Sequence, residues 1–270
     1  NPMPAVVQHL ASLVDGIDVA SVGEMKVALD TPMSPGSVSF AGPGKKEHEL
    51  RCAIAAGVLL NVESPQEMTL IARLGNSLGI QPRVAIRINP NFELKSSGMK
   101  MGGGPKPFGV DAECVPDLLK QISGLGLECI GFHIFSGSQN LNAAAIQDVH
   151  EKTVQLAIRL AEYAPSSIKL INMGGGFGIP YFPGERSLNL PLIGENLQRL
   201  SMILKQHLPA ARIALELGRY IVGEAGIYVC RILERKLSRG QMFLVTDGGL
   251  HHHLAASGNF GQVIRKNYPV

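Results

Sequence analysis

Three consecutive glycines, Gly174 to Gly176, follow directly on the strand-like run Ile168 to Ile171. Glycine accepts positive φ and lets a ligand approach the main chain, and successive backbone N–H groups form an anion-binding concavity. The stretch NMGGGFGIPYF, Asn172 to Phe182, therefore has the makings of a phosphate cradle, with a ligand-free glycine turn as the competing reading. Two better-known phosphate loops do not fit. A dinucleotide fingerprint needs glycine at its first, third and sixth positions, and the sixth residue from Gly174 is Ile179; no Gly-Lys-Ser/Thr follows either. Other chemically capable residues fall at the ends of strand-like runs. They are Asp18 and Glu24, Arg87, Ser136 and Ser138, and Glu216 followed by Gly218 and Arg219. Hydroxyls, a guanidinium and bare N–H groups suit a phosphate, and a carboxylate suits a protonated ring nitrogen. A phosphate-bearing cofactor with a basic ring nitrogen would use all of these types. Each also has a structural alternative: a surface ion pair for Glu216 and Arg219, helix-start acids for Asp18 and Glu24, a solvated strand residue for Arg87, and a cap or loop serine for Ser138.

The elements that must position these residues alternate. Short apolar, β-branched runs are separated by amphipathic helical stretches, the pattern of repeated βα units around a parallel sheet. Seven strands are expected, at Gly16 to Ala20, Ser37 to Ala41, Val58 to Val62, Arg83 to Asn89, Glu128 to Phe135, Ile168 to Met173 and Arg212 to Leu217. Helices are expected at Pro4 to Val14, Val22 to Leu29, Glu47 to Ala56, Pro65 to Leu78, Ala112 to Ser123, Ala143 to Tyr163 and Leu190 to His207. In such a barrel the functional groups gather at the C-terminal ends of the strands, where the candidates lie. A closed (β/α)8 TIM-type barrel needs eight strands and the first element here is a helix, so the expected fold is a barrel lacking its first strand. Gly226 to Leu237 and Gln241 to Asp247, joined by a turn at Ser238 to Gly240, break the βα rhythm and read as antiparallel strands. They divide the chain into a barrel over 1–225 and the incomplete start of a β-rich domain over 226–270.

Composition sets outer limits. The 270 residues are 45% hydrophobic and 17% charged with a net charge of +3, enough for one large α/β domain. No apolar run approaches the roughly 18 residues of a membrane span. No basic block with interleaved aromatics suggests nucleic acid. Cys52, Cys114, Cys129 and Cys230 are far apart, form no CxxC pair and read as reduced core thiols, consistent with a cytoplasmic setting. His251, His252 and His253 cannot all face one metal ion, being consecutive, so no metal site is expected.

Several motifs in order resemble those of the pyridoxal-phosphate (PLP) decarboxylases with the alanine-racemase-type barrel, the group containing ornithine and diaminopimelate decarboxylases. They are DVASVGE (Asp18 to Glu24), RINP (Arg87 to Pro90), PFGVD (Pro107 to Asp111), GFHIFSGSQ (Gly131 to Gln139), GGGFGIPY (Gly174 to Tyr181) and ELGR (Glu216 to Arg219). GSQ and GIPY are closer to the diaminopimelate branch, and Ser96 to Gly109 is similar to a subgroup associated with exosortase and exopolysaccharide gene clusters. The resemblance implies decarboxylation of a basic or diamino acid such as diaminopimelate, lysine or ornithine. It assigns the cofactor phosphate to Ser138, Gly174, Gly175, Gly176 and Arg219, and the pyridine nitrogen to Glu216. Asp18, Glu24 and Arg87 match positions near the cofactor, and Asp247 one that helps bind the substrate's distal amine. It also implies a homodimer with shared active sites.

Departures accompany it. The histidine that usually stacks on the pyridine ring is replaced by Phe135, which can stack but cannot donate a proton. Leu217 stands where the family's EPGR motif has proline. The lysine that bonds the cofactor falls in a Lys-Ala-Asn triplet whose asparagine matches Asn1, which places it two residues upstream. Residues 1–270 alone are thus expected not to form that bond and to be inactive. Two other expectations remain open at this stage: a non-catalytic regulatory or binding relative, and a PLP racemase or carrier on the same barrel. Glu216 disfavours the racemase, in which arginine typically faces the pyridine nitrogen.

Overall fold

The computed structural model describes residues 3–95, 99–100, 102–249 and 251–252. Asn1, residues 96–98 and 101 of the Ser96 to Gly109 segment, and His253 lie outside them. Seven parallel strands form one sheet in sequence order: β1 (Ile17–Val19), β2 (Val38–Phe40), β3 (Leu59–Val62), β4 (Arg83–Asn89), β5 (Glu128–His133), β6 (Leu170–Asn172) and β7 (Arg212–Ala214). A two-residue strand, Val110–Asp111, adds beside the end of β4. All seven lie inside the expected runs. Most are shorter by one to three residues at one or both ends.

Helices cover the outer face: α1 (Pro4–Leu10), α2 (Val22–Leu29), α3 (Glu47–Ala56), α4 (Pro65–Leu78), α5 (Val115–Gly124), α6 (Ala143–Ala161), α7 (Leu190–His207) and the short α8 (Arg219–Val222). Local chemistry fixes several of their starts. Ser21 and Ser64 cap α2 and α4, accepting the N–H of Glu24 and Glu67 at 3.2 and 3.1 Å. Each glutamate reaches back, Glu24 to the N–H of Ala20 at 2.7 Å and Glu67 to that of Glu63 at 2.7 Å. The same S-x-x-E device thus turns the chain at two strand ends. Glycines in the left-handed region, Gly57 and Gly79, end α3 and α4.

Alternation along the strands sorts the residues into two layers. Val84, Ile86 and Ile88 of β4, Phe132 of β5 and Ile171 of β6 join the main core between sheet and helices. Leu59, Ala85 and Ile130 form a small apolar cluster on the opposite, inner face. One layer nearer the strand ends that inner face becomes polar. Register sets Asp18 beside Ser39, Arg87 beside His133, and His133 beside Asn172. Although β1 and β7 are the two edges of the described sheet, the charges of Asp18 and Glu216, which follows β7, act on each other. The sheet therefore curls around a shared interior.

Past the barrel, β8 (Ile232–Ser238) and β9 (Gln241–Thr246) form the expected antiparallel hairpin. Ile227, Val229, Leu233 and Leu237 there are 92, 83, 62 and 67% exposed, so this apolar surface is uncovered. The thiols depart from expectation. Cys129 alone is buried, with burial pushing its pKa to about 11, whereas Cys52, Cys114 and Cys230 are exposed. Cys52 lies off the α3 face that buries Leu50, Ala53 and Ile54, and Cys114 and Cys230 lie in short connecting segments outside the core. All four are free.

Candidate active site

The glycine run sits at the end of β6 against the loops leaving β5 and β7. A Cβ on Gly175 would lie 1.8 Å from the carbonyl oxygen of Glu216, and one on Gly176 would lie 2.3 Å from that of Gly137. Glycine is thus needed for the backbones to meet at all. Gly174 is at φ 67° and lies under Phe135, whose Cδ2 would be 2.5 Å from an added Cβ. Among the described residues no protein group accepts the N–H of Gly175 or Gly176, so both remain available to an anion.

Glu216 is joined to this loop twice. Its N–H donates to the carbonyl of Gly174 at 2.9 Å. Its Oε1 accepts from Nδ2 of Asn172 at 2.6 Å, while Oδ1 of the same asparagine accepts the N–H of Gly174 at 2.9 Å. Because a backbone N–H can only donate, the asparagine amide is oriented without ambiguity. Nε2 of His133 lies 3.2 Å from the same Oε1, in ion-pairing range but too oblique for a hydrogen bond. Oε2 has no partner among the described residues, and the side chain is 23% exposed.

Charge governs this cluster. Burial raises the Glu216 pKa, but His133 and the contacts from His133 and Asn172 outweigh it and hold the carboxyl below its usual range. Burial lowers His133, but Glu216 and Asp18 outweigh it and lift the imidazole above its ordinary value. Asp18 is exposed to solvent although many protein atoms surround it. Burial first, and the Glu216 charge second, push it to about 7, against the pull of His133 and the hydroxyl of Ser39, which donates to its Oδ1.

Arg87 is held differently. Its Nη1 is 2.8 Å from Oε1 of Glu63, with the two side chains 9 and 3% exposed, and its guanidinium lies over the Phe108 ring at 4.9 Å. Glu63 also accepts the N–H of Gly42 at 2.6 Å and of Gly109 at 3.0 Å, drawing two loops to one carboxylate. On the other side of the glycine run, Gln139 donates to the carbonyl of Ile179 at 2.6 Å and accepts its N–H at 3.2 Å. The Gln139 carbonyl oxygen also meets Nη1 of Arg219 at 3.3 Å, and Arg219 faces the Tyr181 ring at 5.7 Å. Ser138 pairs in a two-residue antiparallel ladder with Met99. Behind the loop, Ser136, Met173, Gly175 and His150 line a small recess that does not include Glu216, Arg87 or Arg219.

Asp18, Arg87, Glu216 and the glycine run therefore converge, as their positions at strand ends predict. Two candidates have their carboxylates engaged elsewhere. Glu24 closes the cap of α2, and Asp247 accepts the N–H of Arg231 at 2.8 Å at the open end of the β8–β9 hairpin. Sequence reading missed Glu63, His133, Gln139 and Asn172. The available signal was only their place as polar residues at strand ends; the register that sets His133 beside Arg87 comes from the structure.

Comparison with known proteins extends this picture. A family model described as "Pyridoxal-dependent decarboxylase, pyridoxal binding domain" matches residues 1–223. The chain is 37% identical to the L-glutamyl-[BtrI acyl-carrier protein] decarboxylase of Niallia circulans, over 97% of this chain and 63% of that protein. It is 33% identical to the diaminopimelate decarboxylase of Aquifex aeolicus, over 92% of this chain and 58% of the relative. Among solved structures, diaminopimelate decarboxylase from Helicobacter pylori complexed with L-lysine superposes with a TM-score of 0.83 at 29% identity, over 95% of this chain and 64% of that one. The chain thus spans about three fifths of the length of the relatives it matches.

Proposed function

Since the chain belongs to the pyridoxal-dependent decarboxylases, a family that uses pyridoxal phosphate, we propose that the whole protein is a carboxy-lyase acting on an amino acid. The observation that carries this reading is Glu216, a carboxylate held anionic at the barrel mouth with one oxygen fixed and the other free. The residues present fit the cofactor. The unpartnered N–H groups of Gly175 and Gly176, the Ser138 hydroxyl and the Arg219 guanidinium would hold its phosphate, and Oε2 of Glu216 would accept its ring N–H. When bound, pyridoxal phosphate supplies a protonated ring that takes up the electron pair left as CO2 departs. Glu216 would keep that ring protonated, and Glu63 holds Arg87 as a fixed positive charge on the same inner face. Phe135, above Gly174, offers an aromatic face and no proton. A carboxylate at the ring nitrogen speaks against the racemase alternative.

For the substrate, the diaminopimelate decarboxylase likeness supports a basic or diamino acid. A second reading, an amino acid carried on an acyl-carrier protein, is favoured by the 37% identical relative with that substrate in its name. The barrel is proposed to end near residue 225, which the match to 1–223 supports. A homodimer, a cytoplasmic setting and an exopolysaccharide context belong to the same reading. Among the described residues no helix is long and apolar enough to cross a membrane. The test is the whole protein purified with cofactor and offered meso-diaminopimelate, lysine, ornithine and a glutamyl carrier protein. Visible cofactor absorbance with CO2 release from one of these supports the proposal. Absence of bound cofactor overturns it, and bound cofactor without CO2 release from any of them favours the non-catalytic relative.

A further inference from the structure

His133 is the last residue of β5, at the centre of the sheet, and its side chain is 2% exposed. Its register neighbours on the inner face are Arg87 from β4 and Asn172 from β6, and its Nε2 lies 3.2 Å from Oε1 of Glu216. Asp18 of β1 and Arg87 also act on it electrostatically, so among the described residues the charged groups acting on it are Asp18, Arg87 and Glu216. Arg87 is paired with Glu63 at 2.8 Å, and it pulls on both Asp18 and Glu216 more weakly than His133 does. That leaves two carboxylates, Asp18 and Glu216, and the charge on Glu216 disfavours ionising Asp18 as well. The contact at 3.2 Å is to Glu216.

We propose that His133 is a positioning residue that selects Glu216 over Asp18 as the anion of the barrel interior and, with Asn172, pins its Oε1 so that Oε2 faces the mouth. This rests on the reading of Glu216 as the partner of the cofactor's ring nitrogen, and it adds the group that keeps Glu216 charged. The protonation pattern agrees with the geometry. Asp18 sits near 7 while Glu216 is held below its usual range, so of the two carboxylates it is the one touching imidazole that stays ionised at neutral pH.

The decisive measurement needs no bound cofactor. In whole protein labelled with 15N-histidine, the imidazole resonances are titrated in wild type and in Glu216→Gln, with His133 assigned by its loss in His133→Gln. His133 is expected to titrate above the ordinary value of about 6.5 and to fall by about one unit or more in Glu216→Gln. The same midpoint in both proteins, or a His133 neutral throughout, overturns the proposal. Glu216→Gln preserves shape and the Asn172 contact, so it keeps the test available if His133→Gln fails to fold: in that case the proposal is overturned when no imidazole resonance changes its midpoint between wild type and Glu216→Gln. A second arm titrates pyridoxal phosphate spectroscopically. His133→Gln is expected to weaken binding roughly tenfold if one charge-assisted contact is lost, and unchanged binding counts against the proposal. Failure of wild type to bind the cofactor would sink the decarboxylase reading while leaving the His133–Glu216 coupling to be judged by NMR alone.

Discussion

Removing the Glu63 carboxylate is expected to be the most damaging single polar change in the barrel. Glu63→Ala leaves the Arg87 guanidinium, whose side chain is 9% exposed, without its counter-charge. Breaking a buried pair from one side costs about 3–5 kcal/mol. The N–H groups of Gly42 and Gly109 lose their acceptor as well. Each would cost about 1–3 kcal/mol if left dry, and water entering the vacated space brings this toward the lower end. A total of about 5–7 kcal/mol follows, which for a domain of this size lowers Tm by roughly 10–28 °C. Thermal unfolding of the whole protein followed by circular dichroism reads this out. Two controls separate the ion pair from mere packing. Glu63→Gln keeps an acceptor and should fall in between, and Glu63→Met with Arg87→Met removes both charges and should recover most of the loss. A shift of under 2 °C for Glu63→Ala, or a double variant no better than the single one, would refute the reasoning that Glu63 is the hub of these two loops.

Three further outcomes are expected. Gly175→Ala forces a Cβ to 1.8 Å from a backbone oxygen and should abolish cofactor binding in spectroscopic titration, whereas Gly218→Ala, with nothing within 4 Å, should bind normally. Glu24→Ala should cost about 1 kcal/mol in denaturant unfolding through the lost cap of α2 while leaving cofactor absorbance unchanged; a large change in absorbance would restore a direct role at the site. Burial lowers His150 to about 4 and Nδ1 has no partner among the described residues. Its folded pKa lies below its unfolded value, so its contribution is present above about 6.5 and is lost as pH falls through about 4. Stability curves of wild type and His150→Gln should converge as pH drops across that window, and parallel curves would contradict this.

The elements were legible because their signals are local. The bounds expected for α2, α3, α4 and α7 coincide with those observed, since Ser64 with Pro65, the terminal glycines and the apolar periodicity all act within a few residues. Strand ends were overextended by one to three residues, because apolar residues such as Ile134 and Met173 lie in the core just past the last paired positions. At the site, the glycine run, Arg87 and Glu216 were readable as chemical types. Glu63 and His133 were not, because their meaning comes from partners 24 and 83 positions away that only the curl of the sheet supplies. Glu24 illustrates the converse: an acid at a strand end whose local use, the cap of α2, could be read from its spacing to Ser21.

Asn172 spans the two ends of the site with one amide, accepting from the glycine run and donating to Glu216. On the proposed assignment, the separation between the anion seat and the ring-nitrogen seat is thereby a dimension of the fold, set before any ligand arrives. The pair would work as a gauge: a bare phosphate or an unphosphorylated pyridine would engage one jaw alone, while a molecule of the right span would meet both.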